Sequence, residues 1–520
     1  MLLLLSLVTC QDYKWEKAEF LSPDPDTLGL YGRAIAISNS NPRVLAVSAS
    51  WDGYLDFDNT HDDDYKTSHA HGSIYIYEYD AEQLKYVYKT KIEPTNTDEV
   101  EICNFGSTVQ ISKSGNRIVS GAPYSNVKNG DTWVQQVGAV VIFDKINDKW
   151  TQSQVLTIKN PVPNSSTTTD FDEYQGLGRS LATDDDCQLI AAAYYNKPGF
   201  QLLKKFQGKV WTSSEGPDGK FGDLIPITPH DVFPDATLTG KLFKFGSDIQ
   251  FTSATTMIIA TQLFAADKKP IESEFGTAYL YQNNGVWQVN HTIPTQKPQE
   301  GKQWSMYGQT ISMPRNSQKL FATMGLYGKP NGDFYNNGTF FIFSRENDLS
   351  EWKVIQEINF EGDATFGTIE FCDDSTFLNQ ITNYKDTDGV QKPAVLIYRR
   401  QDNGTFAISE TLTIDPYPDE HNQFASSISW DYTCNTIFVG SMAKVNAKTQ
   451  VPFKGSQAII FSRSATTPSE DDDKGNDYLG LYIGLPIAFV VIIVIIIIVV
   501  VCIRKNNKKK EISSGSAQSV

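Results

Sequence analysis

An all-β fold of seven four-stranded antiparallel sheets set radially about an axis is predicted, and three observations predict it. A phrase made of an aromatic or aliphatic residue, a glycine and, four positions after the first, a hydrophobic residue recurs seven times. Each copy is followed by short runs in period-two alternation, rich in β-branched residues, which is the signature of strands. The count of final strands comes out one short, and the missing one stands at the amino terminus. Together these predict a seven-bladed β-propeller closed by its N-terminal strand, with one C-terminal transmembrane helix beyond it.

The seven first strands are "YGRAIAIS" at Tyr31, "FGSTVQIS" at Phe105, "LGRSLATD" at Leu177, "FGSDIQFT" at Phe245, "YGQTISMP" at Tyr307, "FGTIEFCD" at Phe366 and "FASSISWD" at Phe424. The sixth places Glu370 where the others have Ile, Val or Leu, and the seventh has Ala425 for glycine. Second strands follow, clearest in "RIVSGAP" and "TIFVGS". Third strands open on glycine and end on an aromatic, as in "GSIYIY", "GAVVIF", "GTAYLY" and "GTFFIF", with "PAVLIY" and "SQAIIF" as approximations and "GFQLLKKF" at Gly199 a poorer one.

Fourth strands carry one large aromatic each: Tyr86, Trp150, Trp211, Trp287, Trp352 and Phe406. An aliphatic follows six or eight positions later, on the same face of a pleated strand. Trp211 reaches Ile225 only after a longer stretch, which predicts an insertion there. "YKWEKAEFLSP", near the start of the chain, has Trp15, Leu21 and Pro23 in the same spacing, so the N-terminus supplies the outer strand of the seventh sheet. Closure of this kind removes the exposed interface an open array would leave.

Hydrophobic content of 40% with 12% aromatics is ample for a core. The net charge of −16 argues against a nucleic-acid partner. The segment 504–520 contributes +4 of that balance, so the rest of the chain carries −20. Between them, residues 479–503 run without a charge, and as a helix would reach roughly 37 Å, enough to cross a bilayer. The basic residues that follow place the C-terminus in the cytoplasm. Residues 1–10, "MLLLLSLVTC", read as a signal peptide. The organisation predicted is signal peptide 1–10, propeller ectodomain 11–463, acidic linker 464–478, transmembrane helix 479–503 and basic tail 504–520. This is a single-pass type I protein of the plasma membrane. Within the span, Gly480 and Gly484 form a G-x-x-x-G that suits helix pairing. Cys103, Cys187, Cys372 and Cys434 suffice for two disulfides, in any of three connectivities.

The phrases resemble FG-GAP repeats, the units of the seven-bladed propeller at the head of integrin α subunits, over roughly residues 12–463. "FGSTVQISKSGNRIVSGAP" keeps both the FG and the GAP elements. The resemblance implies a cell-surface protein that binds an extracellular ligand in adhesion, without catalysis; a carbohydrate-binding or glycosidase-like propeller is the alternative. Integrin-type repeats hold Ca²⁺ through a D-x-D-x-D-G series in the first hairpin. Here those hairpins read "SKSGN", "SATTM", "PRNSQ" and "DDSTF", which lack the ligands; "TDDDC", Asp184–Asp186, is the only rich one, and its three adjacent acids alternate in direction.

The loops joining second to third strands, and fourth to next first, lie on one face and carry aromatics suited to recognition of a protein or glycan: Trp51, Tyr54, Tyr124, Trp133, Phe334 and Tyr335. The first of these loops gathers Asp56, Asp58, His61, Asp62, Asp64, His69 and His71. No cofactor is firmly implied, and this loop is where Ca²⁺ or another divalent cation would bind, although solvated loop acids account for the same residues. Asn164, Asn290, Asn337 and Asn403 head glycosylation sequons. Trp15, Tyr86, Trp150, Trp211, Trp287, Trp352 and Phe406 are read as structural wedges between blades.

Overall fold

The computed structural model describes residues 13–21, 30–52, 70–163, 176–194, 208–227, 243–264, 276–297, 303–315, 317–328, 334–347, 350–360, 368–385, 391–414, 422–443 and 456–465. Residues 15–463 form one compact unit; a second, residues 1–14 with 464–520, falls almost wholly outside the described residues. The segments expected as signal peptide, linker, membrane span and basic tail, residues 1–10 and 464–520, fall in that second unit and, apart from residues 464–465, lie outside the described residues. Among the described residues every regular element is a strand, and no helix is long and apolar enough to cross a membrane.

The strands form seven four-stranded antiparallel units, numbered blades 1 to 7. Their first, inner strands are Tyr31–Ile37, Thr108–Ile111, Ser180–Thr183, Phe243–Ser253, Gln303–Ser312, Ile369–Asp373 and Asn422–Trp430. Each inner strand contacts the inner strand of the next blade, and Tyr31–Ile37 contacts Asn422–Trp430, so the seven close a ring. That ring makes the fold a β-propeller. Blades 4 and 5 also share a continuous sheet, through Leu263 opposite Tyr307 and Phe264 opposite Met306.

Blade 7 is completed from both ends of the compact unit: Tyr13–Leu21 pairs with Gln457–Ala465, the third strand of that blade. Trp15 is buried there, edge-on to Trp430 with ring centroids 6.0 Å apart. Middle strands such as Ala139–Ile146 are buried on both faces between neighbouring blades, hence their nearly continuous apolar runs. Outer strands such as Lys149–Leu156 alternate exposed and half-buried residues because one face meets water.

The recurring glycine has a geometric cause. Gly32, Gly106, Gly178, Gly246 and Gly308 all take φ between 78° and 92°, a region that side chains disfavour. Ala425, standing in for glycine in blade 7, is held at φ 61° all the same.

Three expectations are corrected. Trp211 lies on the third strand of blade 3, Lys209–Ser214, and not on the fourth, which is Ile225–Ile227. Phe221, buried and bridged to Glu215, takes the aromatic place, six residues before Ile227. Gly208 opens that third strand, because a Cβ on it would overlap the backbone of Phe245. The poorer phrase at Gly199 lies outside the described residues.

In blade 6, register puts Ile369 opposite Asn379 and Glu370 opposite Leu378. Blade 4 has Ile249 opposite Ile259 and Gln250 opposite Ile258. Ile369 therefore fills the hydrophobic place and Glu370 the place of Gln250, one step on from the sequence alignment.

Finally, one disulfide forms instead of two. Cys372 of blade 6 joins Cys434 in the first hairpin of blade 7, with Cα atoms 5.9 Å apart. Cys103 and Cys187 are buried free thiols. Cys187 occupies the same turn in blade 3 as Cys434 in blade 7: each donates its N–H to the aspartate three residues before, Asp184 or Asp431. The preceding blade has Ser112 where blade 6 has Cys372, so Cys187 has no sulfur to meet.

Candidate functional site

The predicted loop face is partly described. Trp51 sits half-buried in the turn after the second strand of blade 1. Tyr124 lies under the Arg179 guanidinium, 5.0 Å from its ring centroid. Trp133 is 44% exposed on a three-stranded sheet of Val100–Glu101, Asn126–Asn129 and Thr132–Val134, with Lys128 6.0 Å from its ring. These three aromatics are not in ring contact with one another. Phe334 and Tyr335 begin the third strand of blade 5, their side chains outside the described residues, as is Tyr54 altogether.

Of the acidic loop, only His71 is described; it is exposed, with Nδ1 3.3 Å from the Ile102 carbonyl. Asp56, Asp58, His61, Asp62, Asp64 and His69 lie outside. Among the described residues no group of three His, Cys, Asp or Glu could hold a metal ion. Asn290 and Asn403 are exposed; Asn164 and the Asn337 side chain lie outside.

Of the blade aromatics, Tyr86 makes a ring contact across to the neighbouring blade, while Trp287, Trp352 and Phe406 meet rings of their own blade. Tyr86 of blade 1 meets Phe438 of blade 7, Trp287 meets Phe251, Trp352 meets Phe321 and Phe406 meets Phe377. Trp150 and Trp211 pack half-buried on the core that blades 1, 2 and 3 share.

A cavity of about 590 Å³ runs along the axis at the end of the inner strands opposite the loop face, where first and second strands are joined by hairpins. All seven inner strands line it, among them Ile37, Ile111, Phe251, Phe371 and Ile428. Among the described residues no two inner strands of adjacent blades pair in a ladder, and side chains cross between them. One position does this repeatedly. Around the ring it reads Ala36, Gln110, Ala182, Gln250, Ser312, Glu370 and Ser429, fixed by partners Ala46, Val119, Ala191, Ile258, Ala322, Leu378 and Phe438.

Even blades carry a long side chain there and odd blades a small one, leaving room for the neighbour's reach. Gln250 Nε2 donates to the Met313 carbonyl at 2.8 Å while its Oε1 accepts from Met313 N at 2.9 Å. Gln110 Nε2 donates to the Leu181 carbonyl at 3.4 Å, and Trp430 N donates to Glu370 Oε1 at 3.5 Å.

Two carboxyls in the channel wall titrate far from their ordinary range. Burial pushes Asp248 up to about 6, against the pull of N–H donors from Ile311 and Ile249 and the Thr310 hydroxyl. Burial likewise pushes Glu370 up to about 7, opposed by the Arg315 charge and the Trp430 N–H.

At the mouth, hairpins from four blades converge on one ring. The Arg315 guanidinium of blade 5 stacks 4.2 Å from the Tyr432 centroid of blade 7, and Lys113 of blade 2 stands 5.9 Å from it. Asp185 of blade 3 pairs with Lys113 at 3.8 Å, and burial raises the Tyr432 phenol despite Arg315. Asp184 is occupied in its own turn, accepting from the N–H groups of Gln188 and Leu189. A guanidinium stacked on an aromatic ring and rim carboxylates thus stand at the mouth of the cavity.

Neither Arg315 nor Tyr432 is singled out by the sequence, whereas Asp184 and Asp185 stand in the one acid-rich first hairpin. Arg315 lies in "PRNSQ", weighed in the sequence only for calcium ligands. Its partner Tyr432 lies in the corresponding turn of blade 7, and only the ring brings the two together.

No protein-family model matches the chain, and no curated protein matches it. The FG-GAP resemblance therefore rests on the phrases themselves. Among solved structures the chain is similar to an oligogalacturonate lyase in complex with manganese, at TM-score 0.44 and 9% identity, over 88% of this chain and 97% of that one. It is also similar to a periplasmic gluconolactonase from Pseudomonas aeruginosa, at TM-score 0.39 and 11% identity, over 76% of this chain and 95% of that one. At these scores the likeness carries no argument about substrate or chemistry.

Proposed function

We propose that this is a plasma-membrane propeller that binds an extracellular carbohydrate at the hairpin mouth of its axial channel, without turning it over. The Arg315–Tyr432 stack carries the reading. Sugars are recognised by aromatic faces against their C–H surfaces and by charged groups that hydrogen-bond their hydroxyls. The Tyr432 ring seats Arg315 as a forked donor at the mouth, and Asp185 supplies an acceptor on the rim. The apolar span 479–503 would anchor the protein with its propeller outside the cell.

Glycan-array binding by the purified protein tests this. Signal on defined sugars should be lost in Arg315→Ala and in Tyr432→Ala and kept in Trp133→Ala. Release of reducing ends from a bound glycan would replace binding with hydrolysis.

A second reading is favoured by one observation: Trp133, 44% exposed on its own small sheet at the opposite end of the blades. It suits adhesion to a protein, the activity FG-GAP resemblance implies. Loss of cell attachment in Trp133→Ala, with Tyr432→Ala unaffected, would favour that reading.

A further inference from the structure

Glu370 stands where the architecture calls for glutamine. Register gives the equivalence, and the residue that each side chain clasps repeats it. Gln250 of blade 4 clasps Met313, the residue after Ser312 of blade 5. Glu370 of blade 6 reaches Trp430, the residue after Ser429 of blade 7, and accepts its N–H. The Gln250 clasp has two halves, an acceptor for the N–H and a donor for the carbonyl, whereas Gln110 of blade 2 makes only the donor half, to Leu181. A carboxylate supplies only the first, whereas a neutral carboxyl keeps a proton to donate.

We propose that Glu370 is a proton-operated clasp between blades 6 and 7: neutral, it performs glutamine's part, and ionised, it drops the donor half and turns to Arg315. The inference is independent of what the channel binds.

The charges around it are few. Arg315, just beyond the inner strand of blade 5, is the cation that favours ionisation. On the blade 7 side, Asp431 is held by Arg43 at 3.0 Å, and Tyr432 lies against Arg315. Its own strand ends in Asp373, and the second strand of blade 6, Thr376–Lys385, brings no titratable residue before Tyr384 and Lys385. From blades 3 and 4, Asp184, Asp185, Asp186 and Asp248 line the same cavity and oppose a further negative charge. Burial is the largest influence on the group and also opposes ionisation.

A carboxyl whose affinity for protons is higher folded than unfolded contributes stability at low pH. That contribution is fully present below its ordinary range, near 4.5, and is lost as pH rises through about 7. Thermal unfolding of the intact protein in detergent, followed from pH 4.5 to 8.5, reads it directly in wild type against Glu370→Gln. The two midpoints should coincide at the acid end and separate by about 3 °C above pH 7.5, with the glutamine variant the more stable. Parallel profiles across the range would overturn the proposal.

Arg315→Ala in the wild-type background supplies a second reading should the first variant fold poorly. Removing the cation should move the wild-type inflection to higher pH, and an unmoved inflection would count against the clasp. In the double variant the pH step near 7 should be absent.

Discussion

The Ser427 hydroxyl donates to the Gly32 carbonyl at 2.9 Å, joining residues 395 positions apart. Thr108 makes the same bond to Gly178, also at 2.9 Å, between blades 2 and 3. In both seams the two glycine backbones lie against each other: a Cβ on Gly440 would overlap the Gly32 carbonyl, and one on Gly121 the Gly178 carbonyl. The seam that closes the ring is thus built like an interior one.

Gly440→Ala should therefore cost about 2–3 kcal/mol, since rigid backbone and a hydroxyl meet the added methyl. Gly121→Ala should cost a similar amount. Chemical denaturation of the two variants checks it; a silent Gly440→Ala beside a damaging Gly121→Ala would mean the closing seam is slack.

Ala425→Gly should stabilise by about 1 kcal/mol, because the alanine is held at a positive φ that glycine adopts freely. The residue is fully buried in the closing blade, so relief of backbone strain competes with the loss of one packed methyl. A higher midpoint in calorimetry is the expected result.

Trp15→Ala should destabilise by about 3–5 kcal/mol, the cost of emptying a buried aromatic site. Its neighbours Trp430 and Phe461 belong to the same apolar cluster as blades 6 and 7. Removal of residues 13–21 should do more, exposing the edge of Gln457–Ala465. An unaltered unfolding midpoint in the truncated chain would contradict the closure.

Removing the bridge with Cys372→Ser and Cys434→Ser should cost about 4 kcal/mol, from the loop entropy released over a separation of 62 residues. Mass spectrometry under non-reducing conditions should find this one linkage, with Cys103 and Cys187 alkylated only after denaturation.

Asp248 adds a pH dependence of its own. Its folded affinity for protons is raised to about 6 from 3.8, so the stability it contributes is complete below pH 3.8 and lost as pH rises through about 6. Asp248→Asn should remove that lower step and gain on the order of 2 kcal/mol over wild type at pH 8. Paired denaturation curves at pH 4 and pH 8 measure the difference.

Much of the ring was legible because its physics repeats. A left-handed backbone forces the glycine, doubly buried strands force apolar runs, and Trp15 with Leu21 repeats the outer-strand spacing. Where the chain departs by a residue or two, the reading slipped. In blade 3, Trp211 imitated the fourth-strand aromatic while Phe221 filled that place. In blade 6, a phrase one residue shorter before the hairpin moved Glu370 by one position. The disulfide depended on which hairpins are neighbours, which cysteine counting cannot supply.

The site was the least legible part. Aromatic loops drew attention to one end of the blades, yet the described cavity lies at the other. Its key groups, Arg315 and Tyr432, come from hairpins far apart in sequence. The alternation of long and small residues at Gln110, Ala182, Gln250, Ser312 and Glu370 was present throughout, but it shows only when seven copies are superposed by register.

That alternation has an arithmetical consequence. Seven is odd, so a pattern of period two cannot return to itself around the circle. Blades 2 and 3, 4 and 5, and 6 and 7 fall into couples, each joined by one amide or carboxyl reaching forward. Blade 1 is left without a mate, and two short side chains, Ser429 and Ala36, face the same gap. There an ion pair takes over: Arg43 meets Asp431, whose side chain is 1% exposed. At that seam a charge pair stands beside the Ser427–Gly32 bond where the other couples have an amide or a carboxyl.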